Sequence, residues 1–241
     1  MRFRLKRLLT TLANRDESEG ALGRHSLMLL SLVVMLWALP LGHAIAGSGT
    51  RFPVLLGIVV ISAVFVNIHQ GWVFVVTLVI GLGSVMGIAY AEYAGSNPVR
   101  IVSEILGLSV LAFTTFVMFN SLLQSECVSS DTIVGGICVY LLVGLCFAMV
   151  YILLIELEPG SMLRDGEPIA RLVSDPSAHA TVLLYFSFVT LTTLGFGDVS
   201  PYGDMAEMFA VSEALVGQLY LAVFVARLVA LYVMQDRMIQ R

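Results

Sequence analysis

At 241 residues the chain is 58% hydrophobic and only 12% charged, where a soluble domain carries roughly 25% charged residues. A globule of this size cannot hide so much apolar surface from water, and a disordered chain needs the opposite balance. Both classes are excluded, and a bilayer is the expected solvent. The net charge of −4, with 13 basic residues that form no reading face, excludes nucleic acid as a partner.

The chain opens with a basic tail, 1–25, carrying Arg2, Arg4, Lys6, Arg7, Arg15 and Arg24. A bilayer core takes about 20 apolar residues of helix. Runs of that kind predict six crossings, at 26–46, 53–69, 71–94, 100–124, 133–156 and 205–234. A short tail, 237–241, follows with Arg237 and Arg241. Short basic flanks stay in the cytoplasm, so both termini are expected inside, in a multi-pass protein of the cell membrane with lipid as its surroundings. Ala44-Ile45-Ala46 has the small-x-small form of a cleavage site, but the long tail and apolar run before it argue against a removed signal peptide.

The first four runs form one module, 26–124. Its fourth run carries Arg100 at the edge and no other basic residue. A voltage sensor needs several, each worth about 2.3 kcal/mol per 100 mV, so no intrinsic voltage gating is expected. Gly81-Leu82-Gly83 with Gly87 lacks the preceding strand of a dinucleotide site, and close helix packing through Gly83 and Gly87 is the expectation. His25, His43, His69, His179 and Glu104 have no evident partners, and no metal or proton site is assigned to them. Cys127, Cys138 and Cys146 follow no metal-ligand spacing and imply no disulfide framework.

A short polar connector, 125–132, expected in the cytoplasm, separates this module from a second unit, 133–236. Between the last two crossings lies a net-acidic segment containing a seventh apolar run, 176–194, too short for an ordinary span. Asp175-Pro176 reads as an N-cap followed by proline at the first helical position. The helix it starts, 176–192, would reach about 25 Å, with Thr190, Thr192 and Thr193 at its deep end. It is read as a re-entrant half-helix entering from outside.

The segment Thr190-Leu191-Thr192-Thr193-Leu194-Gly195-Phe196-Gly197-Asp198 resembles the filter signature of potassium channels. The resemblance covers about residues 133–236. It implies an all-α membrane protein with six transmembrane helices and a pore helix between the fifth and sixth, assembling as a homotetramer because each chain supplies one filter segment. Potassium in a narrow pore must exchange its hydration shell for other oxygens at little net cost. By resemblance, Thr193, Leu194, Gly195, Phe196 and Gly197 form the ion-binding filter within 193–198, with K+ bound there and no other cofactor. Gly195 and Gly197 supply the left-handed dihedrals that turn consecutive carbonyls to one axis. Asp198, Tyr185 and Thr192 support the filter. The partial negative charge at the pore-helix C-terminus favours a cation beyond it.

The pattern departs from the family in three places. Phe196 stands where tyrosine is usual, Tyr185-Phe186 replace a tryptophan pair, and Val189 replaces a glutamate that some bacterial members place in the pore helix. With the indole missing, the Tyr185 hydroxyl is expected to reach Asp198. In the last crossing, Gly217 is the candidate gating hinge, with close packing as its alternative. Gln218, Leu221 and Val225 are cavity-lining candidates by helical spacing. Glu213, at membrane depth, is a functional candidate or a hydrogen-bonded residue behind the pore helix. Arg227, about 32 Å along the helix, is expected to snorkel to the inner interface. The reading is a passive potassium channel and not an enzyme, since no paired catalytic groups appear in the spans. A less selective cation channel is the alternative, and a subunit of a potassium transporter a weaker one, because only one filter-like loop is present.

Overall fold

The computed structural model describes residues 24–46, 56–59, 61–62, 71–125, 129–172 and 176–239. Residues 1–23 of the N-terminal tail, most of the second expected crossing, Cys127, His69, the Asp175 cap and Arg241 lie outside them.

The described chain is mostly helical: α1 (Arg24–Ala46), α2 (Gly71–Ala94), α3 (Asn97–Gln124), α4 (Ser130–Leu157), a short α5 (Ile169–Leu172), α6 (Pro176–Leu191) and α7 (Asp204–Ile239). Among the described residues, α3, α4 and the Asp204–Met234 stretch of α7 are long and apolar enough to cross a membrane. α3 and α4 begin where their residues favour a start. Pro98 stands in the first turn of α3, where its missing N–H costs nothing. Ser129 caps α4 by accepting from the Thr132 amide at 3.1 Å, and Asp131 sits in the first turn, where a negative charge suits the helix dipole. Between α2 and α3, Gly95 adopts a left-handed φ of 64° while Ser96 N donates back to Ala91 O, a tight reversal.

α4 is the hub, in contact with α1, α3, α6 and α7. It buries Cys138, Leu142, Leu145, Met149 and Tyr151 almost completely. Polar clamps fix its two ends to the leading module. At the start, His25 of α1 bonds Asp131 Oδ2 through Nδ1 at 2.8 Å, which gives His25 the partner its sequence position does not reveal. At the far end, Arg100 of α3 grips Glu156 in a two-pronged pair, Nε to Oε2 at 2.8 Å and Nη2 to Oε1 at 2.6 Å. Arg100 is thus a fixed strut between α3 and α4. Gly87 packs so closely on Ser103 that a Cβ there would collide with its hydroxyl, as expected of a packing glycine, whereas Gly83 meets no neighbour. No disulfide joins the free thiols Cys138 and Cys146, and no metal-type cluster appears among the described residues.

The expectation of an all-helical chain needs one correction. Between α4 and α7 stands a three-stranded antiparallel sheet in the order β2-β1-β3: β1 (Met162–Arg164), β2 (Glu167–Pro168) and β3 (Val199–Pro201). Asp165 and Gly166, at φ 51° and 85°, join β1 to β2. Two consecutive positive φ values give the turn whose twist suits a two-residue hairpin, and Asp-Gly is a favoured pair for it. β3 pairs along β1 with Arg164 opposite Val199. Since Val199 directly follows Asp198, the sheet anchors the chain as it leaves residues 193–198.

Candidate functional site

The site is built around the end of α6. That helix stops at Leu191, and its stop has a specific form. Thr193 N donates to Thr190 O at 2.9 Å and Leu194 N to Val189 O at 2.9 Å, the paired bonds of a Schellman cap. The cap needs a left-handed residue, and Thr193 supplies it at φ 57°. Glycine normally fills that place, and a β-branched residue there is an outlier costing about 1–3 kcal/mol. Nothing in the residue type signals this.

Left-handed dihedrals then recur at Gly195, φ 59°, and Gly197, φ 80°, while Leu194 and Phe196 are not left-handed. The alternation therefore runs 193, 195, 197, one residue longer than the glycines alone imply. Alternate residues of opposite hand turn successive amides to one side of the chain and successive carbonyls to the other. Thr193 through Gly197 are all exposed in the single chain.

Support comes from three sides. Tyr185 Oη donates to Asp198 Oδ1 at 3.0 Å, and its ring stacks on Phe196 with planes 6° apart and centroids at 6.3 Å. One tyrosine thus touches both the aromatic and the acid of the segment. Beyond Gly197, Asp165 N donates to Asp198 O at 3.0 Å and Tyr202 N to Ser161 O at 2.8 Å, which fastens the exit to the hairpin. At the end of α6, Tyr140 Oη of α4 donates to Leu191 O at 3.2 Å. Together with the Schellman bonds, this occupies the carbonyls of Val189, Thr190 and Leu191 within the protein. Thr192 Oγ1 bonds back to Phe188 O at 2.6 Å and so closes the same last turn.

The α7 candidates divide. Gln218 Nε2 donates to Thr193 Oγ1 at 3.1 Å, so this pair is brought together. Leu221 and Val225 stay exposed, at 40% and 54%. Gly217 packs against the end of α6, where a Cβ would run into the Leu191 carbonyl oxygen, and this favours the packing role expected as its alternative. Glu213 lies fully buried behind α6. Its Oε2 accepts from Tyr151 Oη of α4 at 2.7 Å, and its Oε1 lies 2.5 Å from Ser187 Oγ of α6. The carboxyl therefore joins α7 to both α4 and α6.

Arg227 has partners within the protein that its place in the sequence does not reveal. Its Nη2 donates to Leu123 O at 2.5 Å and Ser125 O at 3.0 Å, carbonyls at the C-terminal end of α3. A helix end leaves its last carbonyls without partners inside the helix and carries partial negative charge, so a guanidinium satisfies both needs. Just above, Tyr220 Oη donates to Gly136 O at 2.6 Å, and its ring stacks with Phe224. The lower part of α7 is thereby held to both α3 and α4.

Comparison with known proteins agrees with where this geometry lies. Residues 139–234, from within α4 to near the end of α7, match a family model described as Ion channel. No curated protein matches the chain, and no solved structure does. The family match supports an ion-channel unit in this part of a membrane protein.

Proposed function

We propose that the chain is one quarter of a tetrameric channel through which potassium passes down its electrochemical gradient, with six crossings and both termini in the cytoplasm. The observation that carries the reading is the alternation of left-handed dihedrals at Thr193, Gly195 and Gly197, in a segment that follows a capped half-length helix. Four such segments facing one axis would offer main-chain oxygens from Thr193 to Phe196, with the Thr193 hydroxyl innermost, in place of the ion's water. Each subunit leaves most of α7 exposed, including Met208, Leu215, Leu219 and Val223. Packing against neighbouring subunits would cover part of this apolar face. The pairing of Arg100 with Glu156 supports a pore without intrinsic voltage gating, because the single basic residue of α3 is already committed.

Phe196 favours a second reading, a weakly selective monovalent cation channel. It has no hydroxyl to fix it from behind, and its ring is held by stacking on Tyr185. Rubidium uptake into liposomes holding purified protein tests the proposal. The wild type should take up rubidium against a sodium background, and Gly195→Ala should abolish this preference. Uptake with the same ion preference in Gly195→Ala would remove the filter assignment.

A further inference from the structure

Glu213 does not face the open side of α7, yet it is fully buried in a segment that crosses apolar surroundings. Its hydrogen-bond arithmetic is informative. Ser187 Oγ lies 2.6 Å from Gly144 O and 2.5 Å from Glu213 Oε1, and Tyr151 Oη lies 2.7 Å from Glu213 Oε2. Three oxygen–oxygen contacts at these separations require three hydrogens. The serine hydroxyl brings one, the tyrosine hydroxyl brings one, and the Gly144 carbonyl brings none. The third can come only from the carboxyl group.

We infer that Glu213 stands as a neutral carboxylic acid that pins the pore helix to both flanking helices. Glu213 donates through Oε1 to Ser187 Oγ, Ser187 donates to Gly144 O, and Tyr151 donates to Glu213 Oε2. The chain of donors runs in one direction from α7 through α6 to α4 and leaves no oxygen without a hydrogen. An ionised Glu213 would take the serine hydrogen for itself and leave Ser187 Oγ and Gly144 O facing each other with lone pairs only. It would also bury a full charge, and none of the ion pairs formed by the described residues includes Glu213. Buried charges without a partner are strongly disfavoured. Glu213 is thus a positioning residue: it acts on the filter only through Ser187 and α6. Its consequence for conduction rests on the channel reading, while its protonation does not.

Glutamine separates the two states, because its amide donates from one atom and accepts at the other, as the acid does. The test compares full-length wild type with Glu213→Gln and Glu213→Ala in lipid at neutral pH, by infrared spectroscopy, thermal unfolding and rubidium uptake. The wild type should show a protonated-carboxyl carbonyl band that Glu213→Gln removes. Glu213→Gln should keep the unfolding midpoint and hold uptake within about twofold, whereas Glu213→Ala should lose both. No band lost in Glu213→Gln, or Glu213→Gln as unstable as Glu213→Ala, would overturn the inference. If the band and the glutamine rescue appear while the wild type passes no rubidium, the neutral acid stands and the channel reading falls.

Discussion

Gln218 of the last helix holds the hydroxyl of Thr193, Nε2 to Oγ1 at 3.1 Å, where the left-handed alternation of residues 193–197 begins. On the proposed channel reading, the residue that would coordinate the innermost ion is therefore oriented by a neighbouring helix. A single hydrogen bond of this kind is worth about 0.5–1.5 kcal/mol. Gln218→Leu should change the affinity of block by barium applied from the inside by about two- to tenfold, on the scale of tenfold per 1.4 kcal/mol. The potassium-to-sodium permeability ratio should move less, because the outer sites are untouched. Concentration dependence of block in planar bilayers gives the number.

Tyr185→Phe deletes the bond to Asp198 but leaves the ring stacked on Phe196. The Asp198 end of the segment should loosen, and only modestly, because water competes for a bond at this exposed position. Single-channel records should show shorter openings, with ion preference weakened but not lost. Unchanged open times would mean that Asp198 is held by the hairpin alone.

Gly217→Ala places a methyl against the Leu191 carbonyl oxygen. Since a backbone atom cannot rotate out of the way, α7 must shift from the end of α6, at a cost of about 1–3 kcal/mol for overpacking. The thermal unfolding midpoint in detergent should fall. A midpoint equal to wild type would show that the two helices do not approach as closely as described.

Arg227→Ala removes the cap from the last carbonyls of α3 and cuts the link from α3 to α7. Open probability should change while ion preference stays the same, because Arg227 lies more than two turns of α7 beyond Gln218, the residue that reaches Thr193. Arg227→Lys should restore part of the effect, since an ammonium also satisfies carbonyls but without the forked geometry. Single-channel recording of both variants is the check.

The legible part of the molecule is what the solvent dictates. Runs such as 133–156 and 205–234 appear as α4 and α7 because an apolar helix of that length has few alternatives, and the glycines at 195 and 197 mark where the backbone must turn left-handed. What escapes the sequence is the partner brought by packing. His25 meets Asp131 across 106 residues, and Arg227 reaches back to Leu123 across 104; no local pattern encodes either pairing. Thr193 in the left-handed place of the helix cap is hidden for another reason, since its residue type argues against that conformation. The small sheet is a different case. Strands of two or three residues carry no alternation to read, yet Asp165-Gly166 is a hairpin signal plainly present in the chain.

Bi-ionic reversal potentials for the purified protein in a planar bilayer, potassium on one side and sodium on the other, test the filter most directly. A potassium filter built from Thr193 to Gly197 predicts a reversal far toward the potassium equilibrium, collapsing toward zero in Gly195→Ala. A wild-type reversal near zero, or one that Gly195→Ala leaves in place, would contradict it.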